Sequence, residues 1–397
     1  MVTTKRPVLD GQLLTPSDIG DVNRSRVIQA FCDYGPLTRA ELAKMAGVTR
    51  ATIGNIVGSL IDAGLIEEGE PRDTGGVGKP GRPLWFGPRA GLAGAVSITP
   101  EAIDAALVNA RGEALKKTSV EYSSADEQRA IAETVVGALT DVLPRGRTDV
   151  LGVGIAVPGV CDTTTGEILG SGPVPGLSGT DLADTVSQRT GIRALVDNDT
   201  RAQALGEKWF GLGRRKSSFA AIQTGHGVGA GLVLSGAVVR GSRGEAGEAG
   251  HIVVELDGER CQCGLYGCWE TIATLRWLRR EAAKLRLKGA AKLDARGLVA
   301  LAKDDENAMS LLDRYADNIA VGLATLTQIL SPGLFILHGD AVGGGETLRA
   351  RVEKAARRRV FAHVRDSVQV VLSELDQDAT LLGAAGLVLS ETFALTT

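Results

Sequence analysis

The chain has 397 residues, 44% of them hydrophobic, which predicts two or three domains with sizeable cores. Its formal net charge of −3 excludes nucleic-acid binding through overall charge, so any such role has to be local. No run of about 18 apolar residues occurs, and the N-terminus lacks the apolar core of a signal peptide, so we expect neither a membrane span nor export.

The N-terminal part of the chain is predicted to be helical after a flexible arm over residues 1–22, which are polar and rich in helix breakers. Three helices follow, each ending near a glycine: residues 23–34, 38–46 and 49–63. Thr38 and Glu41 have the spacing of a capping box at the start of the second helix. A short helix, a glycine turn and a longer helix together form the pattern of a helix-turn-helix.

The third predicted helix has an apolar stripe on one side and small or polar residues on the other. Such a polar face can approach base edges and phosphates closely and donate hydrogen bonds to them. The candidate DNA contacts on this face are Thr49, Arg50, Thr52 and Asn55. A small three-helix bundle with a solvated face is the alternative interpretation.

Two short strands are predicted next, at 65–68 and 84–86, with a Gly-rich basic loop between them. The loop offers Arg72, Lys79 and Arg82 to a DNA groove and favours a winged helix over residues 23–89, although such a loop alone is often only a linker. This domain has nine Lys or Arg against seven Asp or Glu, a net charge of only +2. We therefore expect an oligomer that places two DNA-binding heads on one palindromic operator.

From Gly91 onwards, strands and helices alternate. A hairpin (92–98 and 102–109) and a helix (125–143) come first. Apolar strands then run into polar or Gly-rich loops, and a helix closes the chain: strands at 151–157, 194–196, 219–223 and 334–338, and the helix at 379–389. This order predicts two α/β lobes with a ligand cleft between strand ends.

The segment 247–270 has the composition of a metal site. Cys261, Cys263 and Cys268 lie within eight residues, and His251 lies ten residues upstream. One His and three Cys are a common set for structural zinc, because four protein ligands leave no position open for water. We therefore expect one zinc per chain, the alternative being three free cysteines in a loop, and a reducing cytoplasm as the compartment.

This segment, with most of the chain from about Asn23 onwards, resembles the ROK family, which groups sugar kinases with sugar-responsive repressors. The resemblance implies an actin-like ATPase fold over residues 90–397, with the last helix returning to the first lobe. It also implies a set of sugar contacts: Gly159, Asn198, Asp199, Glu248, His251 and Glu270. Asp199 has the position of the base that deprotonates a sugar hydroxyl in the kinases. Physically, it could instead cap a helix, and Glu270 could be a solvated charge.

The phosphate-binding motifs of the ROK kinases are altered here. The kinase motif Asp-x-Gly-Gly-Thr corresponds to residues 97–101, Ser-Ile-Thr-Pro-Glu, which lack the acid and both glycines. Gly-Thr-Gly corresponds to 225–227, Gly-His-Gly, and a Gly-Gly pair corresponds to 339–340, Gly-Asp. The kinase Asn two residues after the base is Arg201. These changes predict that phosphoryl transfer is lost and that Asp199 is a vestigial base, with no catalytic residue expected.

The sequence therefore predicts a cytoplasmic transcriptional regulator, a repressor of carbohydrate-metabolism genes, acting as a homodimer or homotetramer. Its effector would be a sugar or sugar derivative, bound in a degenerate kinase cleft. One alternative is an active, glucokinase-like, ATP-dependent sugar kinase that carries a DNA-binding domain. Another is a sugar-binding protein whose N-terminal unit binds protein instead of DNA.

Overall fold

The computed structural model describes residues 23–24, 26–31, 34–71, 81–124, 127–146, 149–375 and 378–393. The predicted arm 1–22 and the loop residues Arg72 and Lys79 lie outside these ranges. The chain divides into two compact units, which are Met1–Ala90 with Phe393–Thr397, and Gly91–Thr392. Among the described residues, none of the helices combines the length and the apolar composition needed to cross a membrane.

The first unit is a helical bundle with a small antiparallel sheet. Residues 23–24 and 26–31 are helical and are called α1. The other elements are α2 (Arg39–Ala46), α3 (Arg50–Asp62), β1 (Leu37–Thr38), β2 (Ile66–Glu68) and β3 (Pro83–Phe86). The strands are ordered β1-β3-β2, so the two predicted strands are neighbours. The short strand β1 was not predicted, because its two residues also begin the capped helix.

Local chemistry explains where these elements begin and what they bury. The capping box is present: the Thr38 hydroxyl accepts from the Glu41 N–H, and the Glu41 carboxylate accepts from the Thr38 N–H at 2.7 Å. The apolar stripe of α3 is fully buried at Ile53, Val57 and Leu60. Two helices joined by a glycine turn and followed by a paired strand hairpin form a winged helix-turn-helix, which confirms the predicted fold class for this unit.

The second unit contains two lobes, each built on a five-stranded sheet. The sheet of the first lobe has the order β10-β7-β4-β5-β6. Its strands are β4 (Leu92–Ile98), β5 (Ala102–Asn109), β6 (Ala114–Glu121), β7 (Val150–Val157) and β10 (Ala194–Asn198). Its helices are α4 (Gln128–Val142), α5 (Leu182–Thr190) and α6 (Asp199–Phe210), beside the short strands β8 (Val160–Cys161) and β9 (Ile168–Gly170). The edge strand β6 was not predicted, because its side chains are mostly exposed and polar.

The sheet of the second lobe has the order β13-β12-β11-β14-β15. Its strands are β11 (Phe219–Thr224), β12 (Gly229–Leu234), β13 (Ala237–Val238), β14 (Leu334–Gly339) and β15 (Gln369–Leu372). Its helices are α7 (Trp269–Ala273), α8 (Leu275–Lys284), α9 (Ala295–Leu301), α10 (Glu306–Leu330), α11 (Asp340–Gly343) and α12 (Gly345–Arg359). Among the described residues of this unit, four 3₁₀ turns complete the fold: Pro175–Leu177, Ala249–His251, Ala290–Lys292 and Ala362–Ser367.

The last helix, α13 (Ala379–Phe393), follows the second sheet in sequence but packs on the first. Its buried Leu381, Ala384 and Val388 share one apolar cluster with residues of β4, β5 and β7. The chain therefore ends on the lobe in which this unit begins. This duplicated architecture, with a crossing last helix, is the actin-like fold that the family resemblance implied.

Candidate functional site

Four potential metal ligands converge in the second lobe. The side-chain ligand atoms of His251, Cys261, Cys263 and Cys268 all lie within 4.8 Å of one another. His251 Nδ1 is 3.6 Å from Cys261 Sγ, and the sulfurs of Cys263 and Cys268 are 3.7 Å apart. Zinc bonds of about 2.0–2.3 Å in tetrahedral geometry require ligand separations of roughly 3.3–3.8 Å. The predicted set therefore fits a zinc ion.

Backbone hydrogen bonds of the loop hold the three cysteines together. Cys261 N–H donates to the carbonyl of Leu265 at 2.7 Å, which closes a tight turn around Cys263. Val253 pairs with Cys268 in an isolated antiparallel bridge, and Cys268 begins α7. The second lobe thus positions the ligands through turn and helix-start geometry, while Cys263 itself is exposed to solvent.

The imidazole of His251 faces two different groups. This is consistent with its prediction both as a zinc ligand and as a sugar contact. Its Nδ1 points to Cys261, whereas its Nε2 lies 3.9 Å from the carboxylate of Glu248. Glu270 lies on the metal side, with Oε1 at 2.9 Å from the Cys261 sulfur and 3.9 Å from His251 Nδ1. The three predicted sugar contacts of the second lobe therefore surround the edge of the metal cluster.

The first lobe brings together the other three predicted sugar contacts. Asn198 ends β10 and caps α6: its Oδ1 accepts from the N–H groups of Thr200 and Arg201, and its Nδ2 donates to the Gly159 carbonyl at 2.9 Å. Gly159 has φ +145°, and a Cβ there would lie 2.3 Å from the Gly170 oxygen, so a larger residue does not fit. Asp199 is the first residue of α6, and the cap role that it could have had belongs to Asn198.

Asp199 of the first lobe and Glu248 of the second lobe interact electrostatically. Burial raises the pKa of the Asp199 carboxyl to about 6, and the negative charge of Glu248 adds to this effect. Hydrogen bonds from the Thr200 N–H and the charge of Arg201 act in the opposite direction. Converging carboxylates, an amide and an imidazole can donate and accept several hydrogen bonds at once, which suits a hydroxyl-rich ligand.

The turn that corresponds to the kinase phosphate loop is closed on itself. Thr99 N–H donates to the Ala102 carbonyl at 2.9 Å, and the Thr99 hydroxyl lies 3.1 Å from the Ala102 nitrogen and 3.4 Å from the Glu101 nitrogen. The Tyr122 hydroxyl donates to the Thr99 carbonyl at 2.7 Å. The backbone donors of this turn are thus directed at its own residues.

The other positions at which this chain differs from the kinase motifs are Asp340, His226 and Arg201, and each lies in a different environment. Asp340 accepts hydrogen bonds from the Tyr315 hydroxyl and the Ala295 N–H, both at 3.0 Å, and burial raises its pKa. His226 is exposed. Arg201 is only 1% exposed and bonds to Asp197 instead of facing an open cleft. Sequence analysis missed this ion pair, although an acid at a strand end with an Arg four residues later was a visible signal.

The four DNA-contact candidates of the first unit lie in and just before the first turns of α3, and all four are exposed: Thr49, Arg50, Thr52 and Asn55. Thr49 caps α3 by accepting from the Thr52 N–H at 3.2 Å. Arg82 is exposed, with its guanidinium 3.8 Å from the Glu68 carboxylate, which also pairs with Arg39. The α3 candidates are thus accessible to a partner. Among the described residues of the wing, Arg82 is partly neutralised by the Glu68 carboxylate.

Comparison with protein families gives two matches. The ROK family matches residues 93–391, and the MarR family matches residues 11–75. A xylose repressor of Caldicellulosiruptor bescii is 25% identical over 388 residues, which cover 93% of this chain and 96% of the repressor. A glucokinase of Thermotoga maritima is 33% identical over 298 residues, which cover 71% of this chain and 92% of the glucokinase.

Comparison with solved structures supports the same two-part organisation. The crystal structure of a ROK family transcriptional regulator, described as a homologue of the Escherichia coli MLC protein, has a TM-score of 0.76. The two proteins are 26% identical, and the match covers 94% of this chain and 96% of that one. Similarity to the two regulators extends over nearly the whole chain, whereas similarity to the glucokinase covers a smaller part.

Proposed function

Because the chain belongs to the ROK family and carries an N-terminal DNA-binding unit, we propose that it is a sugar-responsive transcriptional repressor. The observation that carries this proposal is the presence, in one chain, of a winged helix-turn-helix and of a two-lobed actin-like module. The similarity to a xylose repressor over 93% of the chain supports it. Its target genes would serve carbohydrate metabolism, and its place of action would be the cytoplasm, where the operator DNA lies.

We propose residues 23–89 as the operator-binding domain and residues 90–397 as the effector-binding module. The net charge of +2 on the first of these is small, so a single head would bind DNA weakly. A homodimer or homotetramer that presents two heads to a palindromic operator would bind more tightly than either head alone, because the second head binds intramolecularly. A sugar would then act by favouring one arrangement of the heads over another.

Arg50→Ala is expected to weaken operator binding by roughly 1–3 kcal/mol, because Arg50 lies exposed on the α3 face and would lose a base contact. Arg82→Ala is expected to weaken binding less and with little dependence on sequence, since a wing arginine mostly meets phosphate or the minor groove. Titration of a fluorescent operator fragment at fixed salt measures both effects.

The control for these two variants is Arg193→Ala, which removes an exposed arginine from the second unit and changes the net charge equally. Its affinity for DNA should stay within about twofold of the unchanged protein. A truncated protein that begins at Gly91 and still binds the same fragment specifically would contradict the assignment of DNA binding to the first unit.

We propose that a sugar is the effector and occupies the cleft between Asn198 and Asp199 on one side and Glu248, His251 and Glu270 on the other. Each of these groups can form hydrogen bonds with vicinal hydroxyls. We also propose that one zinc per chain, bound by His251 and the three clustered cysteines, holds the second side of this cleft in place.

We propose that the bound sugar is not phosphorylated, although a glucokinase belongs among the relatives. The closed Thr99 turn and the buried Asp340 carboxylate support this, because phosphate binding needs free N–H donors and is opposed by negative charge. With ATP, magnesium and D-glucose, D-xylose or N-acetyl-D-glucosamine, ADP release should be at least roughly a thousandfold below an ordinary kinase rate of about 1–100 per second. Sugar-dependent release at an ordinary rate would establish the kinase alternative instead.

A further inference from the structure

A buried ion pair lies next to Asn198 and Asp199 in the chain, and the proposed function gives it no role. Arg201 in the first turn of α6 and Asp197 at the end of β10 are each 1% exposed, with Arg201 Nε 2.5 Å from Asp197 Oδ1. The second oxygen of Asp197 is 3.0 Å from the guanidinium of Arg240. A buried guanidinium requires several fixed partners, because leaving its donors unsatisfied in the interior is costly.

Arg201 Nη2 lies 3.5 Å from the Cys161 sulfur, and Arg201 Nη1 binds one segment, residues 240–247, which we call the strap. The strap follows β13 of the second lobe and leads directly into Glu248. Arg201 Nη1 donates to the carbonyls of Gly244 at 2.6 Å and Ala246 at 3.1 Å. The planar fork of arginine can hold a carboxylate and two carbonyls in one plane, which neither lysine nor asparagine can do.

The strap makes further contacts with the first lobe. Arg243 lies 3.4 Å from the Asp162 carboxylate, and a Cβ at Gly244 would lie 2.1 Å from the Cys161 carbonyl oxygen. Gly244 has φ +87°, a conformation that a side chain rarely adopts. A segment of the second lobe's chain is thus fixed to the lobe that carries Asp199, and its last anchored residue, Ala246, lies two residues before Glu248.

We propose that Arg201 is a positioning residue of the sugar site: by fixing the strap to the first lobe, it sets the position of Glu248 relative to Asp199. This inference rests on the proposed sugar binding. The ROK kinases have an asparagine at this position, on the ATP side of the site. The arginine in its place would remove that asparagine and also add an anchor for the strap. The anchor acts through the strap, because the hydrogen bonds of the Arg201 side chain go to Asp197, Cys161 and the strap carbonyls and not to a proposed sugar contact.

The first test replaces Arg201 by methionine, which keeps the side-chain length and removes every donor. Calorimetry with D-glucose, D-xylose and N-acetyl-D-glucosamine should show sugar affinity reduced by roughly tenfold or more, in line with the loss of buried hydrogen bonds that hold a ligand group. Arg201→Lys should recover part of the affinity, since one ammonium can replace part of the fork.

The matched control is Arg349→Met. Arg349 also joins carboxylates and a carbonyl, those of Glu346, Glu353 and Val370, but it lies on α12, outside the cleft residues. It should lose thermal stability, as Arg201→Met does, and keep its sugar affinity within about twofold. An Arg201→Met protein that is folded and binds sugar like the control would overturn the proposal.

A second variant moves the strap without touching the ion pair. Gly244→Ala places a methyl group against the Cys161 carbonyl, whereas Gly236→Ala has a similar backbone conformation, φ +81°, with no atom within 4 Å of its Cβ. Both share the backbone strain, so a lower sugar affinity for Gly244→Ala alone, by roughly tenfold, reports the displacement of the strap. Equal affinities for the two alanine variants would contradict the proposal.

Amide hydrogen exchange of residues 240–248 in sugar-free protein separates this inference from the proposed function. Exchange in the strap should rise by roughly tenfold in Arg201→Met and stay unchanged in Arg349→Met, because opening of the strap no longer breaks the arginine anchor. Protection equal to that of the unchanged protein would refute the anchor. If the unchanged protein binds none of the three sugars, the proposed effector class fails, and the exchange result still decides whether Arg201 holds the strap.

Discussion

Cys263→Ser is expected to remove the bound zinc and the sugar response together. Cys263 is the exposed member of the ligand set, so a serine there costs no packing and its effect reports the lost metal bond. Zinc binding contributes about 10–16 kcal/mol to the folding of small zinc-finger peptides, and we expect part of such energy to order the segment that carries Glu248, His251 and Glu270. Metal analysis should fall from about one equivalent per chain to below roughly a tenth.

Scanning calorimetry should show the accompanying loss of stability as a thermal midpoint lowered by roughly 5–10 °C. The control is Cys161→Ser, since Cys161 is a fully buried cysteine outside the metal cluster. That variant can lose stability through a buried hydroxyl but should keep its zinc. If protein purified without added zinc is folded and contains less than about a tenth of an equivalent of it, the zinc assignment is wrong.

Asp199→Ala and Glu248→Ala are each expected to abolish the sugar-induced change in operator affinity while leaving DNA binding without sugar nearly unchanged. Each variant would leave a sugar hydroxyl without its partner, at about 1–3 kcal/mol. A ligand shifts a regulator only by its preference for one conformation, so weaker binding means a smaller shift. Operator titrations with and without the sugar that calorimetry identifies measure the coupling directly.

The matched control is Glu306→Ala. Glu306 is an exposed acid that begins α10 as Asp199 begins α6, but it lies outside the cleft residues. Its coupling between sugar and operator should equal that of the unchanged protein. An Asp199→Ala protein that still responds fully to sugar would place the effector elsewhere in the chain.

Local signals accounted for much of the fold. The capping box at Thr38, the apolar stripe of α3 and the alternating strands of the two lobes all depend on residues close in sequence, and the structure contains each of them. The fold class and the family were therefore predicted correctly. The strand β6 was not, because an exposed polar strand leaves a weak periodic signal. The helices between β13 and β14 were also missed, although α10 spans 25 residues with a regular buried face.

The candidate site also has one part that local sequence signals predicted and another part that they did not. The four predicted metal ligands lie within 18 residues, so composition and spacing sufficed to predict the cluster, and the structure brings their side chains together. The predicted sugar contacts lie on two lobes, and the resemblance to a family is what links them. The spacing of Asp197 and Arg201 was a visible signal for their ion pair, but the contacts of Arg201 with the strap had no sequence signal, because they join segments 43 and 45 residues apart.

The sequence by itself indicated the helix-turn-helix, the alternation of strands and helices after Gly91, the clustered Cys and His residues and the family, because these depend on local spacing and residue type. Only the tertiary structure decided that His251 presents one nitrogen to the metal cluster and the other to Glu248. It likewise decided that Arg201 joins α6 to residues 43 and 45 positions away in the chain. Both arrangements arise from contacts between distant segments, and such contacts form only when burial brings the two lobes' strand ends into one cleft.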